Sequence, residues 1–202
     1  MSKKSFKIVA LILAAGESRR FGKPKQNLKY GNTTLLNNIK EHLTLYFVEK
    51  TYTVLGAYSE DIINISKLKF SEVIEFKRWK DGMGSSLSYA CTKIFEEKSY
   101  DGILITLSDL PLVSGLDYQK MYNLFESSSD IVASKSNNSL GVPAIFGSDY
   151  FEELIDLHGE KGAKPIIKKY SKKVNVYENE NAAVDIDTPD DFLKLSKLRF
   201  KD

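Results

Sequence analysis

A single cysteine, Cys91, leaves nothing for an internal disulfide, which fits a reducing compartment. The two histidines, His42 and His158, have no partners at metal-ligand spacing, so a histidine-based centre is not written into the chain. No stretch reaches the ~20 apolar residues that a membrane-spanning helix needs. The net charge of +2 is mild, and the short Lys3-Lys4 and Lys23/Lys25 pairs lack interleaved aromatics. Neither nucleic acid nor a membrane is therefore an expected partner. Internal repeats, heptads and low-complexity linkers are also missing, which leaves one domain over 1–202 as the expected organisation.

What is present is an ordinary globular mixture, 42% hydrophobic and 28% charged, enough to cover a central sheet on both faces. Met1-Ser2-Lys3-Lys4 ahead of Phe6 to Ala15 imitates a secretory leader, with Leu13-Ala14-Ala15 as its cleavage region. The same residues spell a buried strand emptying into a glycine loop. The segment is short and runs straight into that loop, so the expectation is a strand in a cytoplasmic protein.

Ile8 to Ala14 is a continuous apolar run, as for a parallel strand covered on both faces. Leu35, Leu36, Ile39 and Leu43 recur at helical spacing. Further strands are expected at Thr53 to Ala57, Val73 to Phe76, Gly102 to Leu107, Asp130 to Ala133, Pro143 to Phe146, Val174 to Tyr177 and Val184 to Ile186. Helices are expected over Ile62 to Leu68 and Leu116 to Phe125, and beyond a cap at Ser85 or Ser86. Asp149 with Glu152 resembles a capping box, and Thr188-Pro189 opens a last helix. The polar run Ser134 to Ser139 reads as a loop. Strands alternating with helices predict a mostly parallel, three-layer α/β/α sheet.

The segment Leu13-Ala14-Ala15-Gly16-Glu17-Ser18-Arg19-Arg20-Phe21-Gly22-Lys23-Pro24-Lys25 carries the chemistry. Small residues let backbone N–H groups approach a polyphosphate, and Arg and Lys neutralise its charge. It leaves the carboxyl end of a strand, where open α/β sheets bind ligands. It is not a Walker A loop, because five residues separate Gly16 from Gly22 and Pro24 follows Lys23. Gly82-Met83-Gly84-Ser85-Ser86-Leu87 fails as a dinucleotide fingerprint, since Leu87 stands where the third glycine belongs.

Together these pieces resemble the MobA-like NTP transferase family. Leu13 to Gly16, Ser18, Arg20, Gly22 and Lys25 match its L-A-A-G-x-S-x-R-x-G…K signature. Gly82 to Leu87, Ser108 to Val113, Gly141 to Phe146, Gly159 to Ala163 and Asp185 to Asp191 follow in the family's order. The resemblance implies a Rossmann-like nucleotidyltransferase fold of the nucleotide-diphospho-sugar transferase type. Ala14-Ala15-Gly16 is similar to the molybdopterin cytidylyltransferase version, whereas guanylyltransferases tend toward Ala-Gly-Gly there. It thus implies CTP as the nucleotide, molybdopterin or another phosphorylated small molecule as acceptor, and transient contact with a molybdoenzyme. Sugar- or alditol-phosphate transfer, or a non-catalytic nucleotide-binding role, are the alternatives.

Nucleotidyl transfer asks for positioning and charge neutralisation, with no obligatory protein nucleophile. Lys25 is the expected catalytic cation and Arg20 the ligand of the β- and γ-phosphates. Asp109 follows an apolar strand and is expected both to take part in catalysis and to hold Mg²⁺. Asp187 is the expected second metal ligand and Asp185 its alternative, since alternate residues of a strand face opposite sides. Leu13, Ala14, Ala15, Gly16, Gly82, Ser85 and Ser86 are expected to bind nucleotide, although helix capping explains the serines equally well. Gly84, in place of a serine common in the family, is expected to alter a base or ribose contact.

Overall fold

The structure is a computed structural model that describes residues 5–199, so Met1 to Lys4, the start of the leader-like segment, lie outside it. Among the described residues nine strands are formed: β1 (Ile8–Ala14), β2 (Lys29–Tyr30), β3 (Thr33–Thr34), β4 (Val48–Leu55), β5 (Val73–Glu75), β6 (Gly102–Leu107), β7 (Ile131–Ser136), β8 (Ser139–Gly147) and β9 (Asn175–Glu178). Seven α-helices accompany them: α1 (Leu35–His42), α2 (Ser59–Ser66), α3 (Met83–Glu97), α4 (Gly115–Asn123), α5 (Phe151–Ile155), α6 (Lys164–Lys169) and α7 (Pro189–Arg199). Seven strands make one sheet in the order β5-β4-β1-β6-β8-β7-β9. It is parallel except that β8 runs antiparallel to both of its neighbours.

β1 shows why the sheet is three-layered. Val9, Leu11 and Leu13 enter the core covered by α3, α5 and α6, while Ile8, Ala10, Ile12 and Ala14 enter the one covered by α1, α2 and α4. A strand buried on both faces must be apolar throughout, and each such Leu or Ile contributes ~1.5–3 kcal/mol of burial. Leu11→Ala would leave a hole at the sheet's centre and cost ~2–5 kcal/mol. Among the described residues no helix is long and apolar enough to cross a membrane.

Several local expectations are corrected. Ser134 to Ser139 is not an open loop: β7 and β8 continue through it, and Asn137 and Asn138, at φ 47° and 58°, make the hairpin tip. Val184 to Ile186 forms no strand, because Ile186 bonds to Asp109 and adds no ladder to the sheet. Asp149 and Glu152 make no capping box; a 3₁₀ turn at Ser148–Tyr150 leads into α5 instead. Neither Ser85 nor Ser86 caps α3. The cap is Gly82, and both serine hydroxyls donate back one turn, to Asp81 O (3.0 Å) and Gly82 O (3.1 Å).

Candidate active site

β1 and β6 end side by side, and the groups with chemical potential collect at that carboxyl edge. The loop leaving β1 turns at Ser18 (φ 52°), whose carbonyl accepts from the N–H groups of Phe21 and Gly22. Phe21 is buried with Leu28, Tyr30, Leu35, Ile186 and Leu195, so the loop is pinned to the segment that carries Asp187. Gln26, 1% exposed, donates to Ala14 O at 2.8 Å and fixes Lys25 against the end of β1. On the other side, Ile186 N donates to Asp109 O at 3.0 Å. That one backbone bond joins segments about 80 residues apart and brings the two aspartates together.

Lys25 Nζ lies between them. It donates to Asp109 Oδ2 at 2.7 Å, to Ile186 O at 2.9 Å and to Asp187 Oδ1 at 3.2 Å. Its side chain is 12% exposed. Burial alone would lower the lysine's pKa, but Asp109 and Asp187 outweigh it and hold the ammonium above its ordinary value. Arg20 Nη2 donates to the other oxygen of Asp187 at 2.6 Å from a largely exposed position. Asp185 points to no such partner. Burial, then the charges of Asp187 and Asp109, push its carboxyl above the usual range. Asp191 performs the capping that frees Asp187, accepting from Thr188 N at 2.8 Å while Thr188 Oγ1 accepts from Asp191 N at 3.2 Å.

Lys25, Arg20, Asp109 and Asp187 line a cavity of about 340 Å³ that also takes in Leu13, Ala14, Gly16 and Met83. Three of its lining residues hold buried polar atoms with no partner among the described residues: Ser18 Oγ, Gln26 Oε1 and Asp109 Oδ1. Buried polar atoms are normally satisfied, so a pocket that gathers three orphans is shaped for a ligand. Two of them are oxygens that only accept, which suits a cation, and the hydroxyl can donate to a phosphate. No group of three or more His, Cys, Asp or Glu among the described residues is placed to hold an ion unaided. The two carboxylates on one nitrogen therefore fit a metal such as Mg²⁺, whose remaining positions go to phosphate oxygens and water.

A second cavity, of about 320 Å³, adjoins the first and is lined by Ala15, Gly16, Trp79, Gly82, Met83 and Ser86 among others. Ser85 lines neither cavity; its hydroxyl also accepts from Gly159 N at 3.1 Å. Gly84 faces backbone, since a Cβ there would lie 2.7 Å from His158 O. A side chain at this position would have to displace that backbone, which gives Gly84 a packing role. Sequence reasoning missed Trp79, Met83 and Gln26. The lone tryptophan three residues before Gly82 was the available signal.

The MobA-like NTP transferase domain family matches residues 10–174. Rv0371c from Mycobacterium tuberculosis is similar in structure, with a TM-score of 0.81 and 25% identity over 95% of this chain and 98% of that one. A complex of Rv0371c with manganese aligns at a TM-score of 0.73 and 23% identity, covering 94% of this chain and 97% of that one. Phosphoenolpyruvate guanylyltransferase from Thermobaculum terrenum is 25% identical over 130 residues, 59% of this chain. The match spans about half of that relative's length, 52%.

Proposed function

The chain belongs to the MobA-like NTP transferase domain family, and on that premise we propose that it is a cytoplasmic nucleotidyltransferase that moves CMP from CTP to a phosphorylated small acceptor, molybdopterin above all. One domain over 1–202 carries the reaction, and the product passes to a molybdoenzyme by transient contact. The observation that carries this reading is Lys25 clasped by Asp109 and Asp187 beside the glycine loop. An oxygen of the acceptor phosphate attacks the α-phosphorus. The bond from that phosphorus to its bridging oxygen breaks, and pyrophosphate leaves with the electron pair.

Asp109 and Asp187 would hold the Mg²⁺, which when bound supplies charge neutralisation for the triphosphate. The manganese complex of Rv0371c supports a divalent ion here. Lys25 stays protonated under its carboxylate neighbours and offers its charge to the α-phosphate and the leaving group. Arg20 reaches from an exposed stem to the β- and γ-phosphates. Backbone groups of Leu13 to Gly16 face the nucleotide, and the smaller cavity, walled by Ala15 and Trp79, takes the base.

A second reading, guanylyl transfer to a small phosphorylated acid, is favoured by the Thermobaculum terrenum relative. A panel of NTPs against phosphorylated acceptors with Mg²⁺, scored by pyrophosphate and product mass, separates the two. CTP with a pterin phosphate should give product; GTP with phosphoenolpyruvate giving it instead would replace the first reading by the second.

A further inference from the structure

A third cavity, of about 380 Å³, opens beside the one around Lys25 and shares Leu13, Met83 and Leu107 with it. A molecule seated there would meet the nucleotide at the Lys25 end. Its walls are apolar, from Ile105, Leu140, Val142 and Ile167, while Lys161 and Lys164 stand on its rim. Its volume lies in the range of pockets for ring-sized ligands. Neither lysine has an ion-pair partner among the described residues. Glu160 lines the same cavity, and the nearest arginine, Arg19, is ion-paired to Glu17 at 2.7 Å, so the three side chains leave a net positive rim.

Lys161 is carried on a fixed loop, and Lys164 opens α6 directly after it. Gly84 N donates to Gly159 O at 2.7 Å, and Ser85 Oγ accepts from Gly159 N. A Cβ on Gly82 would lie 2.5 Å from the Gly159 carbonyl carbon, and one on Gly162 would lie 2.9 Å from Met83 Sδ. Glycines at 82, 84 and 162 therefore clamp residues 158–163 against the start of α3. Two lysines without ion-pair partners, against a single carboxylate, beside an apolar pocket that adjoins the transfer site are a recognition device rather than a solvated face.

We propose that this cavity is the acceptor subsite, and that Lys161 and Lys164 bind an anionic group of the acceptor remote from the phosphate that receives the nucleotide. The acceptor then combines an aromatic or apolar body with at least two acidic groups. This rests on the transferase reading above for what the cavity is for, but its binding test does not.

The probe is pterin-6-carboxylate, an aromatic body with one acidic group, titrated by its own fluorescence. Neutral 6-methylpterin and phosphoenolpyruvate are the comparators, and CTP with Mg²⁺ is titrated separately. Both lysines are exposed, so the Lys161→Gln/Lys164→Gln double variant should fold. It is expected to weaken the carboxylate probe about tenfold or more, as for loss of charged hydrogen bonds, with CTP affinity unchanged within about twofold. The Lys161→Arg/Lys164→Arg variant should keep the probe. Methylpterin should bind weakly and equally to all three proteins. Equal probe affinity in wild type and the glutamine variant, or binding of phosphoenolpyruvate in place of the pterin acid, would overturn the proposal. Failure of CTP to bind any of the proteins would instead strike the transferase reading and leave the lysine result standing.

Discussion

Lys25 is held by two carboxylates and a carbonyl, and this makes it unlike an ordinary loop lysine, which can be removed without cost. In the proposed reaction its loss takes away transition-state charge, so Lys25→Ala should raise the barrier by ~2–4 kcal/mol and lower turnover about 30- to 900-fold. It also leaves Asp109 and Asp187 facing each other without a counter-charge. In metal-free buffer the variant should therefore lose ~1–3 kcal/mol in urea unfolding, and Mg²⁺ should restore part of it. Near wild-type turnover with unchanged unfolding would make Lys25 a bystander. In the proposed reading the base preference turns on Ala15, which lines the smaller cavity, where its methyl would occupy space that glycine leaves open to a purine. Ala15→Gly should relax the preference for CTP over GTP without inverting it, because one methyl is worth only ~1–3 kcal/mol. Comparing kcat/KM for the two nucleotides decides this, and a GTP preference in the wild type would refute it.

The helix starts hold two further tests. Asp117, in the first turn of α4, accepts from Ser114 N (2.8 Å), Ser114 Oγ (2.7 Å) and Tyr177 OH (2.8 Å). Burial opposes its charge, but these donors outweigh burial and hold its pKa below the ordinary 3.8. A depressed carboxylate contributes stability that is present above its unfolded pKa and lost as pH falls through the folded one. Asp117→Asn should thus cost ~1 kcal/mol at neutral pH, and the gap to wild type should close in strong acid. A gap independent of pH would mean that the charge is irrelevant. At α3, Gly84→Ala would press a Cβ against His158 O and Gly159 O, costing ~1–3 kcal/mol by urea unfolding. Wild-type stability in that variant would show that residues 158–163 are not clamped.

These elements also show what could be read from the chain. β1, β6 and α1 were legible because a buried strand or an amphipathic helix writes its environment into its own period. The β7–β8 tip was not, since a backbone ladder satisfies polar residues as readily as apolar ones and Asn-Asn signals only the turn. Val184 to Ile186 misled for the opposite reason. It is apolar because Ile186 fills a side cluster with Phe21 and Leu195, not because it joins the sheet.

At the scale of the molecule, the sheet's carboxyl edge gathers what the sequence scatters. Lys25, Asp109 and Asp187 could each be suspected from position alone, since each borders an apolar segment or the glycine loop. That all three share one nitrogen depends on the Ile186–Asp109 backbone bond, which no local pattern encodes. The cavity bearing Lys161 and Lys164 was equally hidden, because its walls come from β6, β8 and α6. In the proposed reaction this convergence holds a metal and a nucleotide together. A crystal structure of the protein with CTP and Mn²⁺, read from the metal's anomalous scattering, tests it most directly. One manganese ligated by both Asp109 and Asp187 is expected, with the triphosphate against it and Lys25 Nζ moved from the carboxylates to the α-phosphate. Manganese bound without either aspartate, or CTP lodged away from the loop after β1, would contradict it.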